Sequence, residues 1–375
     1  MTPVDAAVRA LIERQGPIHF DEVVRAALYD SDGGFYSGSG RAGRGGDFIT
    51  SPEVGPLFGA VVARALDAWW TEAGEPSAFV VVEAGAGPGT LALMVMRAQP
   101  RCLPALRYVL VETSDAQRAR HTEHLALAEP LQAFVPSPAP DDDEPVTALP
   151  PGPIFVSVAE MPRITGPCVV LANELLDNLP FGLAERGDDG WNEVLVGLDG
   201  VALREVHVPL APDEVARLER LAPSAERGAR VPLQRAAREW LRDAMALAGT
   251  GGRVVVLDYG ATTAELADRP QEEWLRTYRQ HERGTSPLDA LGTQDITCEL
   301  AIDQLDLAPT CDRSQAEWLR SHGIDELVEQ GRRTWQERAS TGDLAAMVAR
   351  SRVNEAEALL DPAGLGAFRV LEWHR

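Results

Sequence analysis

Two sets of residues in this chain have the types and spacing for chemistry. The first is Glu83-x-Gly85-x-Gly87-x-Gly89, directly after the apolar run Phe79-Val80-Val81-Val82. Glycines that follow a short β-branched strand let the backbone approach a ligand that any Cβ would push away. The free N–H groups of a helix opening at about Leu91 then point back at that ligand. This is the chemistry of a nucleotide-type site, and the spacing separates ligand classes. The dinucleotide fingerprint G-x-G-x-x-G fails because Thr90 holds its third glycine position. The second set is Asn173, Glu174 and Asp177, which follow the apolar run 167–172. Open α/β sheets bind ligands beyond the carboxyl ends of their strands, so these residues are expected on the same edge as Gly85. A helical turn there would put Glu174 and Asp177 on one face as two adjacent carboxylates. The plainer reading is a first helical turn whose acids only complement the dipole.

The elements that must position these groups follow from the apolar pattern. Phe79 to Val82 reads as a buried parallel strand, and Tyr108-Val109-Leu110-Val111-Glu112 as a second one ending in an acid. Glu112 lies 23 residues beyond Gly89, near the interval at which a second-strand acid reaches ribose hydroxyls in nucleotide-binding α/β folds. Further strands are expected at 155–158, 167–172, 253–260 with the acid Asp258 at its end, and 366–373, the last closing the sheet at its edge. The expected class is α/β, a Rossmann-like core with a helical N-terminal segment and two large insertions. Its divisions are a helical segment with a Gly-rich loop over 1–75, the first part of the core over 76–181 and a hairpin-plus-helices insertion over 182–250. A core strand over 251–260, a mostly helical second insertion over 261–360 and a final core strand over 361–375 complete the chain. Within the first insertion, Asp199-Gly200 between alternating runs signals a two-residue hairpin. Within the second, 271–281 reads as a helix, 292–297 as a polar loop and the following stretch as helical. Residues 33–46 hold seven glycines with Phe35, Tyr36, Arg41 and Arg44, a linker or a loop that orders over a ligand. Residues 136–151, rich in proline and acids, read as a solvated loop.

Composition limits the partners. The formal net charge is −22 over 375 residues, which argues against a surface that tracks phosphates, because nucleic-acid binding draws on Lys and Arg. A small molecule or a basic protein segment fits better. Cys102, Cys168, Cys298 and Cys311 form no C-x-x-C pair and read as buried reduced thiols. No apolar run approaches membrane length, and the first residues lack a basic-flanked apolar leader. These features together lead to the expectation of a soluble, unprocessed cytoplasmic protein without membrane insertion. No metal site is expected. The Leu- and Ala-rich helices over 324–360 would supply either a homodimer surface or a plain core.

The motifs in order are Phe35-Tyr36, Gly46-Asp47-Phe48-Ile49-Thr50-Ser51-Pro52-Glu53, Glu83-x-Gly85-x-Gly87-x-Gly89-Thr90, Asn173-Glu174-Leu175-Leu176-Asp177-x-Leu179-Pro180, Leu257-Asp258-Tyr259-Gly260 and Gln294-Asp295-Ile296-Thr297. This succession resembles the MidA-like S-adenosylmethionine (SAM) dependent methyltransferases over residues 15–373. The resemblance implies a class I methyltransferase core with SAM as methyl donor. By analogy with the family's mitochondrial member, it also implies methylation of an arginine ω-nitrogen in a partner protein that belongs to a respiratory complex under assembly. It further implies a SAM site of Glu83, Gly85, Gly87, Gly89 and Glu112, with Glu83 facing the cationic end of the cofactor. Asp47, Asn173, Glu174 and Asp177 would line the catalytic end. Where the family commonly continues with a histidine-containing strand, this chain has Cys298-Glu299-Leu300-Ala301-Ile302-Asp303. His281 is a further candidate proton acceptor, although a lone histidine is more often a packing residue. A small-molecule methyltransferase and a non-catalytic SAM-binding assembly factor are the alternatives.

Overall fold

The computed structural model describes residues 1–37, 50–130, 151–279, 282–338 and 344–375. Asp47, His281, most of the Gly-rich loop and nearly all of the loop over 136–151 lie outside them. The elements in chain order begin with α1 (Pro3–Gln15), β1 (Ile18–His19), α2 (Phe20–Tyr29), α3 (Ser51–Val54) and α4 (Pro56–Glu72). Next come β2 (Phe79–Ala84), α5 (Thr90–Ala98), β3 (Leu106–Val111), α6 (Asp115–His124), β4 (Ile154–Val158) and β5 (Val169–Asn173). Then follow β6 (Gly182–Gly187), β7 (Gly190–Asp199), β8 (Ala202–Pro209), α7 (Pro212–Leu221), β9 (Arg230–Leu233), α8 (Arg235–Ala248), β10 (Arg253–Asp258) and β11 (Gly260–Ala261). The chain continues through α9 (Thr263–Ala267), α10 (Gln271–Trp274), β12 (Leu275–Arg279), β13 (Glu282–Arg283), β14 (Asp295–Cys298) and β15 (Leu300–Ala301). It ends with β16 (Cys311–Ser314), α11 (Gln315–Ser321), α12 (Ile324–Arg338), α13 (Leu344–Leu360) and β17 (Arg369–His374).

These elements form two compact units. One comprises Ile49–Asn173, Ala244–Leu257 and Pro309–Arg375. It carries a seven-stranded sheet in the order β16-β17-β10-β5-β2-β3-β4, in which β10, β5, β2, β3 and β4 run parallel. Every residue of β2 and β3 is buried, as expected of strands covered on both faces. The strand order reverses beside β2, which pairs with β3 on one side and β5 on the other. A doubly wound Rossmann-like sheet opens its ligand crevice at such a switch point. Helices α4 and α5 pack closely because Gly59 has no Cβ; one built there would lie 2.2 Å from Met94 Cβ.

The other unit comprises Met1–Phe48, Glu174–Asp243 and Asp258–Ala308. Its largest sheet has the order β1-β7-β6-β9, with β8 on β7. Helix α1 starts on a capping box in which Thr2 and Asp5 exchange side-chain and backbone hydrogen bonds, the usual answer to unpaired N–H groups at a helix start. Val4, Val8, Ile18, Phe20, Val24, Leu28, Phe181, Leu183, Val194, Trp274 and Ile296 are among its buried core.

Several expectations are corrected here. Helix α10 stops at Trp274, and Leu275–Arg279 is a strand antiparallel to β14, with Leu275 and Thr277 buried between less buried neighbours. That period of two, over only five residues, is easily lost in a helical reading. The polar stretch before Cys298 is also a strand, and all four residues of β14 are buried, because Asp295 finds partners inside the unit. Strands β15 and β16 interrupt the stretch expected to be helical. Strand β17 does not close the sheet, since β16 lies outside it. The β7–β8 turn is Gly200-Val201, because Asp199 still pairs with Ala202.

In the unit with the parallel sheet, the N-terminus of α4 depends on one buried carboxylate. Glu355 accepts from the Leu57 amide at 2.8 Å and from the Ser351 hydroxyl at 2.6 Å. It also fills the space where a Gly55 Cβ would stand. Removing it leaves helix-terminal N–H groups buried without a partner. Glu355→Ala is expected to lower the unfolding free energy by about 2 kcal/mol, read as a reduced urea midpoint at constant m-value. An unchanged midpoint would show that Glu355 does not cap the helix.

Candidate functional site

The glycine turn after β2 lies at the switch point of the sheet. Gly85, Gly87 and Gly89 all take positive φ, at 68°, 53° and 81°, a region that side-chain-bearing residues rarely adopt. A Cβ built on Gly87 meets nothing within 4 Å, so that face of the turn is open to a ligand. The Gly87 amide donates to Glu112 Oε2 at 2.9 Å, and the Ser114 amide donates to Glu112 Oε1 at 2.8 Å. The acid at the end of β3 therefore holds the turn. Burial raises the Glu112 pKa, opposed by these two amides.

Glu83 sits inside β2, 4 % exposed, and accepts from the Tyr108 hydroxyl at 2.8 Å. Burial pushes its pKa up to about 8 despite that bond, and the neighbouring Glu112 charge adds to the rise. A carboxyl in this state is one that a ligand cation would stabilise in its charged form. The structure thus brings Glu83, the three glycines and Glu112 together at the ends of β2 and β3. The set fits a cofactor with a ribose and a cationic end.

The second set falls differently from the helical expectation. Asn173 is the last residue of β5. Glu174 takes a left-handed φ of 51°, and only Leu176–Asn178 forms a helical turn, of the tighter 3₁₀ type. Glu174 and Asp177 therefore do not share a helix face. Instead Asp258 organises the segment: its Oδ2 accepts from the Leu176 and Asp177 amides at 2.9 and 3.2 Å. Burial raises the Asp258 pKa well above the carboxylate range, and the charges of Asp177 and Glu174 raise it further. Asp177 Oδ2 accepts from the Tyr259 hydroxyl at 2.9 Å, and burial pushes this acid up to about 6. Asp177 Oδ1 is buried and meets no hydrogen-bond partner among the described residues.

Sequence reasoning missed most of the groups around Asp177. The Tyr36 hydroxyl and the Asn178 amide both donate to Asp295 Oδ1, at 3.0 and 3.2 Å. Tyr29 stacks on Tyr36 at 5.6 Å between ring centroids and donates to the Asn178 carbonyl at 3.0 Å. Asp177, Asp258 and Asp295 are each at most 3 % exposed. Asp258 is the acid that the sequence sets at the end of its strand, parallel to the one that Asn173 ends, but nothing in the sequence marked it as the holder of the 176–177 turn. Asp295 and Tyr36 had no signal beyond their place in family-like motifs. Among the described residues no group of His, Cys, Asp or Glu is arranged to hold a metal ion, and no helix is long and apolar enough to cross a membrane.

Comparison with known proteins places the chain. The family model described as "Putative S-adenosyl-L-methionine-dependent methyltransferase" matches residues 61–318. The rat mitochondrial protein arginine methyltransferase NDUFAF7 is 28% identical over 346 residues, covering 87% of this chain and 75% of that protein. The Drosophila melanogaster homolog, also mitochondrial, is 30% identical over 307 residues, 78% of this chain and 67% of its own length. A COG1565 superfamily member from Burkholderia thailandensis, solved bound to S-adenosyl-homocysteine, has a TM-score of 0.78 at 26% identity, covering 99% of this chain and 92% of that one. The expectation of a cytoplasmic protein is overturned by these relatives, whose names are mitochondrial. Free thiols such as Cys102, Cys168 and Cys298 fit any reducing compartment and do not select one.

The cofactor is SAM, as the matching family model describes, and the Burkholderia relative holds S-adenosyl-homocysteine. Glu112→Ala is expected to weaken its binding at least about tenfold, or 1.4 kcal/mol, by titration calorimetry. Unchanged affinity would mean that the Glu112 carboxylate neither holds the turn nor meets the ligand. With the family model matched over 61–318 and the relative's fold shared almost end to end, this chain belongs to the MidA-like family of SAM-dependent methyltransferases.

Proposed function

We propose that this enzyme methylates a guanidino nitrogen of arginine in a partner protein. The observation that carries the reading is Asp177, a buried carboxylate with one oxygen held by Tyr259 and the other in hydrogen-bond geometry with none of the described residues, while the Thr297 hydroxyl and nearby backbone amides favour its charged form. It stands among the further acids Asp258 and Asp295. A buried carboxylate oxygen without a partner is costly unless a ligand supplies the donor. An arginine side chain, always charged and carrying five N–H groups in a planar fork, suits such a cluster. The names of the rat and fly relatives support the same acceptor.

The cofactor, when bound, supplies a methyl group on a sulfonium, a leaving group that needs no further activation. The remaining tasks fall to the chain. Glu83 and Glu112 are assigned to the cationic and ribose ends of the cofactor, and the glycine turn to close backbone approach. Asp177 Oδ1 is assigned to hold the guanidinium and to accept the proton that its nitrogen sheds as the N–C bond forms and the C–S bond breaks. Glu174 and Asn173, three and four residues before it in the chain, are further candidates on sequence grounds. Asp47 is a further candidate on sequence grounds alone. Alignment and exclusion of water, rather than acid–base chemistry on the methyl group, provide the rate.

Incubation with methyl-labelled SAM and a cell lysate is expected to label a protein band that yields methylarginine on hydrolysis. Asp177→Asn should reduce the label at least about 100-fold, the scale of losing one preorganised charge contact, with SAM affinity within about twofold. Label in small molecules, or on another residue type, would overturn the reading. The pH dependence follows from the raised Asp177 pKa. Its charged form exists only above about 6, so kcat/KM should climb as pH rises through that value and then level off. Stability runs the opposite way. The folded chain holds this proton up to about 6, against 3.8 ordinarily, so this group disfavours folding as pH rises through that window. A rate that stays flat down to pH 5 would remove Asp177 from the acceptor step.

A further inference from the structure

Gly87 has a second restraint, on its carbonyl. His121 lies in α6, which Ser114 caps by accepting from the Gln117 amide. Gln117 and His121, one turn apart, are the two residues of this helix that are buried, and His121 is 0 % exposed. Its Nε2 is 2.8 Å from the Gly87 carbonyl oxygen, and its Nδ1 is 2.8 Å from the Ser157 hydroxyl on β4. A carbonyl only accepts, so Nε2 must carry the hydrogen, and in a neutral ring Nδ1 then accepts from the serine. Burial favours that neutral ring by lowering the imidazole pKa.

The same ring explains a feature of the motif. A Cβ built on Gly89 would lie 3.1 Å from His121 Cδ2 and 3.2 Å from Leu110 Cδ2, at a φ of 81°. The third glycine is required at position 89 because the imidazole packs there. Gly87 is thus held at its amide by Glu112 and at its carbonyl by His121. The peptides that must admit the cofactor cannot rotate away without breaking one of the two.

We infer that His121, set by Ser157, is a positioning residue for the methyl donor: as the Nε2–H tautomer it fixes the Gly87 carbonyl and so the shape of the SAM turn. Its effect falls on SAM and S-adenosyl-homocysteine alike, whatever the methyl acceptor is. It reaches the ligand through the backbone, since both ring nitrogens are taken by the protein.

The test uses the full chain and calorimetric titration with SAM and with S-adenosyl-homocysteine. His121→Phe, which fills the volume without a donor, should raise both Kd values about tenfold or more. His121→Gln, whose amide can donate to the same carbonyl, should recover most of that loss. Ser157→Ala should fall between, because it frees the tautomer but leaves the ring in place. Nitrogen-15 spectra of the wild-type imidazole should show a protonated Nε2 and an unprotonated Nδ1. Equal losses in the Phe and Gln variants, or no loss in the Phe variant, would reduce His121 to a packing residue. If the Phe variant does not fold, the ring spectrum and Ser157→Ala decide. A protonated Nδ1 with a bare Nε2, or unchanged binding in Ser157→Ala, would overturn the inference.

Discussion

The hydrogen bond from the Gly87 amide to the Glu112 carboxylate ties the end of β2 to the end of β3, and the shape of the glycine turn depends on it. A glycine turn is useful to a ligand because it is bare, and bare backbone is mobile unless something holds it. Here the holding groups come from the neighbouring strand and from α6, both fixed by the parallel sheet. Buried strands with no polar face leave the chain one place to present polar groups, the carboxyl edge. Glu83, Glu112, Asn173 and Asp258 all stand at or near strand ends for that reason.

The acid cluster of the other unit poses the opposite problem. Three carboxylates at most 3 % exposed lose hydration, which pushes Asp177 and Asp258 both upward, and the charges of Asp177 and Glu174 raise Asp258 further. Among the described residues, backbone and hydroxyl donors offset this. Backbone amides serve Asp258, the Tyr259 hydroxyl serves Asp177, and Tyr36 with Asn178 serves Asp295. Burial also drives the Tyr36 and Tyr259 pKa values well above 10, so both phenols stay protonated and serve as donors.

Composition was a poorer guide than geometry. Cysteine usage leads to a cytoplasmic expectation that the mitochondrial relatives overturn, because reduced thiols describe redox chemistry in general and no address in particular. The helical reading over 271–281 failed for a related reason. A strand of five residues, Leu275–Arg279, has its partner in β14, some twenty positions later, and local periodicity carries no record of that pairing.

By itself the sequence determined the parallel core, the glycine turn and the acid at the end of β3. These rest on short-range rules: β-branched runs, glycine's access to positive φ, and a near-constant interval from glycine to acid. It also marked Asn173, Glu174 and Asp177 as a strand-end group. Only the tertiary structure decided that Glu174 and Asp177 share no helix face, that Asp258 holds their turn, and that Tyr36, Asn178 and Asp295 converge from distant positions in the chain. It alone set His121 beneath Gly87. The physical reason is the same in each case. Hydrogen bonds between buried polar side chains depend on distance in space, and residues 36, 121, 258 and 295 acquire their partners only when sheets and helices have packed.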